Sequence, residues 1–288
     1  MRDRIQRFDP RQNMQRPKFE IFHYMDPKPG TVEVHHHEFY EIYFFLGGQV
    51  QYRVEGKVYS LRSGDLLLIN PMELHRPLVE SGGAYERFVL WIDKAYLVQC
   101  GQAGTDLLHC FDSSLPNYSN LLRPTAVQRT ELSTRLQAMV RESYAGTYGS
   151  DLYAEAMFLQ FMVELNRIAL RGAAQRRERE EESTLVSKVL SYIGVHYSEP
   201  LTLEGLAQQF YVSKYHLSHA FSDAVGTSPY RYITLKRLMI ARQLLSNGST
   251  PGEVSLSCGF GDYTNFYRAF RSEYGISPKA FASSVRAG

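Results

Sequence analysis

Ser213-Lys-Tyr-His-Leu-Ser-His-Ala-Phe-Ser-Asp-Ala-Val-Gly-Thr-Ser-Pro229 returns 49 residues later as Asp262-Tyr-Thr-Asn-Phe-Tyr-Arg-Ala-Phe-Arg-Ser-Glu-Tyr-Gly-Ile-Ser-Pro278. Ser213, Leu217, Phe221, Gly226 and Pro229 line up with Asp262, Phe266, Phe270, Gly275 and Pro278, and Tyr232 with Phe281 extends the register. Similarity at a fixed offset marks a repeated supersecondary unit. Each copy spells out a helix. Ser213 and Asp262 are N-cap residues whose side-chain oxygens accept from the first free helical N–H groups. Leu217 with Phe221, and Phe266 with Phe270, are i,i+4 pairs that define a buried face. Gly226 and Gly275 stand where a helix closes through a left-handed residue, and the Ser-Pro after each begins a new segment.

A shorter helix precedes each of these. Thr202 caps the run Leu203 to Phe210, and Tyr211-Val212 makes the turn. In the second copy Thr250 is followed by Pro251 and, three residues on, by Glu253, which is a capping box with proline at the first helical position. Gly259-Phe260-Gly261 then forms a turn one residue longer. A long helix from about Tyr230 to Leu245 joins the copies, with Ile233, Ala241, Leu244 and Leu245 inside. Helix, tight turn, helix, twice over, is the pattern of paired helix-turn-helix units. Opposite the buried pairs lie Tyr215, Ser218, His219 and Ser222 in one copy, and Tyr263, Thr264, Tyr267, Arg268 and Arg271 in the other. Such side chains contact base edges and phosphates. A single helix of this kind reads more simply as a solvated face; two equivalent ones favour nucleic acid.

The rest of the 288 residues has a different texture, so two domains with a connector are expected. From Phe19 to Asp93 short aromatic and β-branched runs alternate with turn signals: Glu41 to Leu46, Val50 to Val54, Val58 to Leu61 and Leu66 to Ile69. That spacing predicts a sandwich or small barrel. Two helical stripes follow, one within Thr125 to Tyr144 (Val127, Leu132, Leu136, Met139, Val140). The other lies within Leu152 to Leu170 (Leu152, Ala156, Leu159, Met162, Val163, Asn166, Leu170). These helices are expected to cover the barrel or to pair with a second copy. The charged run Arg171 to Ser183 reads as a linker. The expected boundaries are 19–115 for the barrel, 120–172 for a helical connector, 173–184 for the linker and 185–286 for the paired units.

Charge is skewed in the direction a polyanion partner requires. Ten Lys/Arg face six Asp/Glu from Thr184 onward, whereas the remainder carries 22 basic against 24 acidic residues. Cys100, Cys110 and Cys258 form neither a metal-type pair nor an even disulfide framework. The first residues lack the apolar core of a signal peptide, and no run reaches the ~18 apolar residues of a membrane span. A cytoplasmic protein without membrane attachment is the expectation.

Residues 185–285 resemble the DNA-binding domain of the AraC/XylS family of bacterial regulators. The resemblance is carried by Leu201 to Glu204, Leu206-Ala207, Val212-Ser213, Leu217, Phe221, Gly226, Ser228-Pro229, Tyr232-Ile233, Arg237, Ala241, Leu244-Leu245, Cys258 to Phe260, Phe270, Gly275 and Ser277-Pro278. It implies that the second helix of each unit enters the major groove, nominating Tyr215, Ser218, His219, Tyr263, Thr264, Tyr267 and Arg268 for contact with promoter DNA. Gly205, Pro251 and Ser255 depart from the family's usual residues. His35 to Glu41 and Gly64 to His75 resemble the two conserved strips of the cupin fold, a jelly-roll-like barrel and the sensor domain common at the front of this family. The overall expectation is therefore multidomain α and β: a barrel, a helical connector, and an all-α domain of two helix-turn-helix units.

In cupin enzymes the positions of His35, His37, Glu41 and His75 bind a divalent metal. Here three readings stand: a metal site, a polar pocket for an organic effector, or histidines that merely stabilise the barrel mouth. The second is preferred because the family's barrels mostly act as sensors, and because the Pro-Met-Glu stretch before His75 stands where metal enzymes usually carry a glycine. The resemblance thus implies an effector-responsive activator of carbohydrate or related metabolic genes, a sugar-like effector, RNA polymerase as partner and a homodimer. It implies no catalytic residues, resident metal or cofactor. A metal-dependent enzyme fused to a DNA-binding domain, and a ligand-independent adaptor, are the alternatives.

Overall fold

The computed structural model describes residues 5, 6, 8, 13–27, 30, 32–79, 83–101, 104–115, 118–176 and 184–287. The chain divides into two compact units, Met1–Val54 with Val58–Glu181 and, second, Glu55–Lys57 with Glu182–Gly288.

The first unit is built on two antiparallel sheets. The larger contains β1 (Phe19–Asp26), β7 (Tyr85–Ile92), β2 (Tyr40–Gly47), β5 (Leu66–Ile69) and β8 (Leu121–Leu122) in that order. The smaller runs β4 (Lys57–Ser60), β3 (Val50–Val54), β6 (His75–Val79). The turns are where the punctuation residues predicted them. Glu55 and Gly56 both take positive φ between β3 and β4, the geometry that lets a two-residue loop follow the strand twist. Strand alternation sorts the larger sheet into two buried faces. Phe22, Tyr24, Tyr43, Phe45, Leu67, Ile69, Val89 and Trp91 join Val50, Tyr52 and Val54 of the smaller sheet in one aromatic interior. Ile21, Ile42, Phe44, Leu66, Leu68, Phe88, Leu90 and Ile92 face the helices. Burial on both faces explains why these strands read as near-continuous apolar runs.

The helical cover consists of α1 (Lys94–Cys100), α2 (Ala126–Ser143) and α3 (Ser150–Arg176). Thr125 and Gln128 form a reciprocal capping box at the start of α2. On α2, Leu132, Leu136, Met139 and Val140 are buried as expected, but Val127 is exposed. The stripe expected for α3 is displaced. Its buried residues are Ala154, Met157, Phe158, Phe161, Met162, Leu165 and Ile168 with Asn166, while Leu152 and Leu170 are exposed. The helix carries apolar side chains on two faces, and the sheet selects the one bearing the phenylalanines, which bury more area. The helix also continues through Arg176, into the stretch read as linker, and residues 177–183 lie outside the described residues. Among the described residues no helix is long and apolar enough to cross a membrane.

The second unit is all helix: α4 (Leu185–His196), α5 (Leu203–Gln209), α6 (Lys214–Val225), α7 (Pro229–Ser246), α8 (Pro251–Ser257), α9 (Tyr263–Tyr274) and α10 (Pro278–Ala287). The N-caps are Thr184, Thr202, Ser213, Ser228, Thr250 and Asp262, and each accepts from the amide three residues on. Ser277 does the same for the amide of Ala280. Gly226 (φ 83°) and Gly275 (φ 74°) close α6 and α9 in the left-handed conformation. The second copy's core joins Leu238, Ala241 and Leu245 of α7 to Val254, Cys258, Phe266, Phe270, Phe281 and Ala282. The repeat therefore covers three helices, with α5, α6 and the start of α7 matched by α8, α9 and α10.

Candidate functional site

Two places in the structure gather the residues singled out in the sequence. The first is the pair of helices α6 and α9. Each helix is set by its short predecessor through an equivalent turn. Tyr211 (φ 55°) and Gly259 (φ 75°) take the left-handed conformation at matching positions. The amides of Val212 and Phe260 then donate back to Ala207 and Ser255 at 3.0 and 3.3 Å. With Leu217, Phe221, Phe266 and Phe270 fully buried, the opposite faces are left to solvent. Tyr215, His219, Tyr263, Thr264, Arg268 and Arg271 are exposed, and Ser218, Ser222 and Tyr267 are half-buried. The repeat aligns His219 with Arg268 and Ser222 with Arg271. The two faces differ in charge. His219 Nδ1 is 2.9 Å from Asp223 Oδ2 one turn along, whereas Arg268 and Arg271 have no carboxylate partner among the described residues.

A side chain not singled out for a structural role anchors this unit. Arg237 of α7 donates from Nε to the Tyr197 carbonyl and from a terminal nitrogen to that of Glu199, both at 2.7 Å. It thereby ties down the chain leaving α4, where helical carbonyls lack internal partners. Neither α4 nor this anchor was legible, because the contact joins residues 40 positions apart.

The second place is the histidine cluster of the first unit. His35 and His37 precede β2 rather than lying in it. His35 is held instead by an isolated antiparallel bridge to His75, through reciprocal backbone bonds of 3.1 and 2.9 Å. The Met72 amide donates to the His37 carbonyl at 2.9 Å, and Met72 takes φ 72°. Methionine here occupies the left-handed conformation that glycine adopts freely.

One ligand-type atom each from His37, Glu41 and His75 lies within 4.8 Å of the others, and all three residues are buried. His35 is outside this trio and half-buried, its ring 4.3 Å from that of His75 and 6.5 Å from that of His37. Each imidazole is oriented by a backbone carbonyl. Nδ1 of His35, His37 and His75 donates to Glu33, Phe39 and Glu73 at 2.9, 2.9 and 2.7 Å. A carbonyl only accepts, so Nδ1 carries the proton and Nε2 of a neutral ring presents a lone pair. Nε2 of His37 and of His75 is buried without a hydrogen-bond partner among the described residues. The former stands 3.2 Å from Glu41 Oε2, an ion pair whenever His37 is protonated. Burial holds His35 below the ordinary histidine value and His75 well below it. Burial pushes Glu41 up, but the adjoining His37, His35 and the Trp91 indole outweigh it and keep the carboxyl below its usual value.

Residues around the cluster were missed. The register pairs Glu41 with Trp91 across β2 and β7, and the Trp91 indole donates to Glu41 Oε2 at 2.8 Å. The Tyr52 hydroxyl reaches the same carboxylate; burial first, and then the Glu41 charge, push that phenol well above its ordinary pKa. Behind His75, the Glu73 carboxylate takes the Asn70 amide at 2.8 Å and Asn120 Nδ2 at 2.9 Å, and both asparagines reach the Tyr118 hydroxyl. The lone tryptophan opposite a strand glutamate was the available signal; Asn120 gave none.

Comparison with known proteins bears on both places. Residues 16–162, about half the chain, match the family model of the AraC-like ligand binding domain, and residues 206–284 match a helix-turn-helix domain. An HTH-type transcriptional activator RhaS from Escherichia fergusonii is 24% identical over 277 residues, covering 91% of this chain and 92% of that protein. One of the same name from Klebsiella pneumoniae is 24% identical over 246 residues, covering 85% of each. Among solved structures, the C-terminal domain of AraT, a response regulator from Geobacillus stearothermophilus, is 28% identical with a TM-score of 0.35. It covers 36% of this chain and 88% of that one. With a ligand-binding profile over the barrel and its helices and a helix-turn-helix profile over the repeat, the chain belongs to the AraC/XylS family of DNA-binding transcriptional regulators with an N-terminal cupin-type sensor domain.

Proposed function

We propose that the protein binds promoter DNA through α6 and α9 and activates transcription when the polar cluster of its barrel is occupied. The observation that carries this reading is the equivalence of two capped helices, each with an exposed polar ridge, inside one compact unit. Tyr215, Ser218 and His219 are the reading residues of the first helix, and Tyr263, Thr264, Tyr267 and Arg268 those of the second. Arg268 and Arg271 are available to a guanine edge or to phosphates. Activation, with RNA polymerase as partner, is supported by relatives named as transcriptional activators.

The effector site is His37, Glu41 and His75, with His35 beside them. Its occupation shifts the population of DNA-competent states. The genes controlled belong to carbohydrate or related metabolism. The protein works by binding in the cytoplasm and not by turnover. It works as a homodimer, since one two-helix reader covers a single asymmetric site. Leu152, Tyr153 and Leu170 on α3 and Val127 on α2 are the exposed apolar side chains that a second copy would cover. The test is recovery of DNA by the full-length protein from the genomic DNA of its own source organism. The expected product is a set of fragments sharing a motif that spans two successive major-groove segments about one helical turn apart. Recovery with no preference over random duplex would overturn the reading.

A further inference from the structure

We infer that Arg231 and Glu273 are positioning residues for DNA recognition: their ion pair locks α9 against α6, an inference that rests on the DNA-binding reading above. A terminal nitrogen of Arg231 donates to Glu273 Oε2 at 2.6 Å, the arginine half exposed and the glutamate largely covered. Arg231 is the third residue of α7, and Glu273 is the last but one of α9. Neither charge suits its own helix. A cation in the first turn meets the positive end of the helix dipole, and a carboxylate in the last turn meets the negative end. At the repeat offset of 49 residues, Arg231 corresponds to Ala280 and Glu273 to Ala224, so the pair belongs to neither copy's internal packing. Mutual attraction between the copies is what offsets both placements.

The path it completes is short. The first turns of α7 belong to the first copy, because Tyr232 packs edge-on against Phe221 of α6 with ring centroids 5.5 Å apart. The later turns belong to the second copy, where Leu238, Ala241 and Leu245 share a core with Phe266 and Phe270 of α9. Between those attachments α7 alone would carry the angle between the copies, and helices bend gently over such lengths. Arg231 closes the triangle, since it sits beside Tyr232 and reaches across to the last turn of α9. One reading helix is thus joined to the other through Phe221, Tyr232, Arg231 and Glu273.

An exposed ion pair adds little to folding stability. This one acts on angle instead, because a charge-assisted bond from a planar guanidinium has direction. Angle is what two-segment reading requires: one base pair more or less turns the second groove segment by roughly 35° about the DNA axis.

The experiment measures binding of the full-length protein, by fluorescence anisotropy, to a recovered fragment and to versions with one base pair inserted or deleted between the two groove segments. Duplexes that keep only one segment, and thermal unfolding, are read in parallel. The unaltered protein should prefer the recovered spacing by about tenfold. Arg231→Gln and Glu273→Gln should each reduce that ratio to about threefold or less, with single-segment binding held within about twofold and unfolding unmoved. The exchanged pair, Arg231→Glu with Glu273→Arg, should restore the ratio, because the attraction returns and each charge then suits its helix end. A ratio that either single variant preserves, or that the exchanged pair fails to restore, overturns the lock. So does an Arg231→Gln that weakens every duplex equally and flattens the salt dependence while Glu273→Gln does not, which would make Arg231 a phosphate contact. Lost thermal stability matched by lost single-segment binding overturns it in favour of ordinary packing. Specific binding by the unaltered protein with no spacing preference removes the lock and leaves the DNA reading standing. No preference over random duplex sinks the DNA reading, and the lock with it.

Discussion

His219 and Arg268 occupy the same repeat position but have different capacities to offer DNA. His219 is engaged by Asp223, so a carboxylate accompanies it on the exposed face of α6. Arg268 carries a planar fork of donors without a carboxylate partner among the described residues. Arg268→Ala is expected to cost about 1–3 kcal/mol of DNA affinity with relaxed preference at one base pair. His219→Ala should cost less. Fluorescence anisotropy on a recovered fragment and its single-base variants measures both. If Arg268→Ala weakens every sequence equally and flattens the salt dependence, the residue holds phosphate instead. A different residue invites a stability prediction. Ser255 stands where the family favours alanine, and its hydroxyl is buried with no partner among the described residues. Ser255→Ala removes that unmet group and improves helix propensity, so it should stabilise the second unit by about 1 kcal/mol. Urea unfolding showing a loss instead would mean that the hydroxyl is bonded.

At the scale of elements, the turn before α9 is the tightest constraint in the repeat. A Cβ on Gly259 would stand 2.5 Å from the Ser198 carbonyl oxygen, and φ is +75°. Gly259→Ala should therefore destabilise by more than the roughly 1–2 kcal/mol that the left-handed conformation alone costs a residue with a Cβ. Unaltered thermal unfolding would refute that geometry. The equivalent Tyr211 tolerates the same conformation because its side chain lies in solvent. These elements also show what a sequence discloses. Helices α5 to α9 were legible because caps, i,i+4 pairs and closing glycines are local signals stated twice. The face of α3 was not, since Leu152, Leu159, Val163 and Leu170 make as regular a stripe as Phe158, Phe161 and Leu165, and only the sheet decides between them. In the barrel, the histidines and Glu41 were named through the resemblance to the two cupin strips. Their tautomers depend on the carbonyls of Phe39 and Glu73, and the tie to Trp91 depends on strand register, neither of which a spacing expresses.

For the whole molecule, the displaced face of α3 leads to a prediction about association. Leu152→Lys combined with Leu170→Lys places charge on the exposed apolar stripe while leaving the buried one intact. Sedimentation should show the doubly substituted protein shifted toward monomer, with a weaker footprint on any two-site fragment; an unchanged dimer would move the interface elsewhere. Another consequence belongs to α7, which closes the first repeat and opens the second. Because it is one continuous helix of 18 residues, its length sets the angular phase between the two reading heads. Adding or deleting one residue within it would swing the second head by about 100° and slide it by about 1.5 Å. On the proposed reading, the number of peptide units in α7 is what spaces α6 and α9 for successive turns of the double helix.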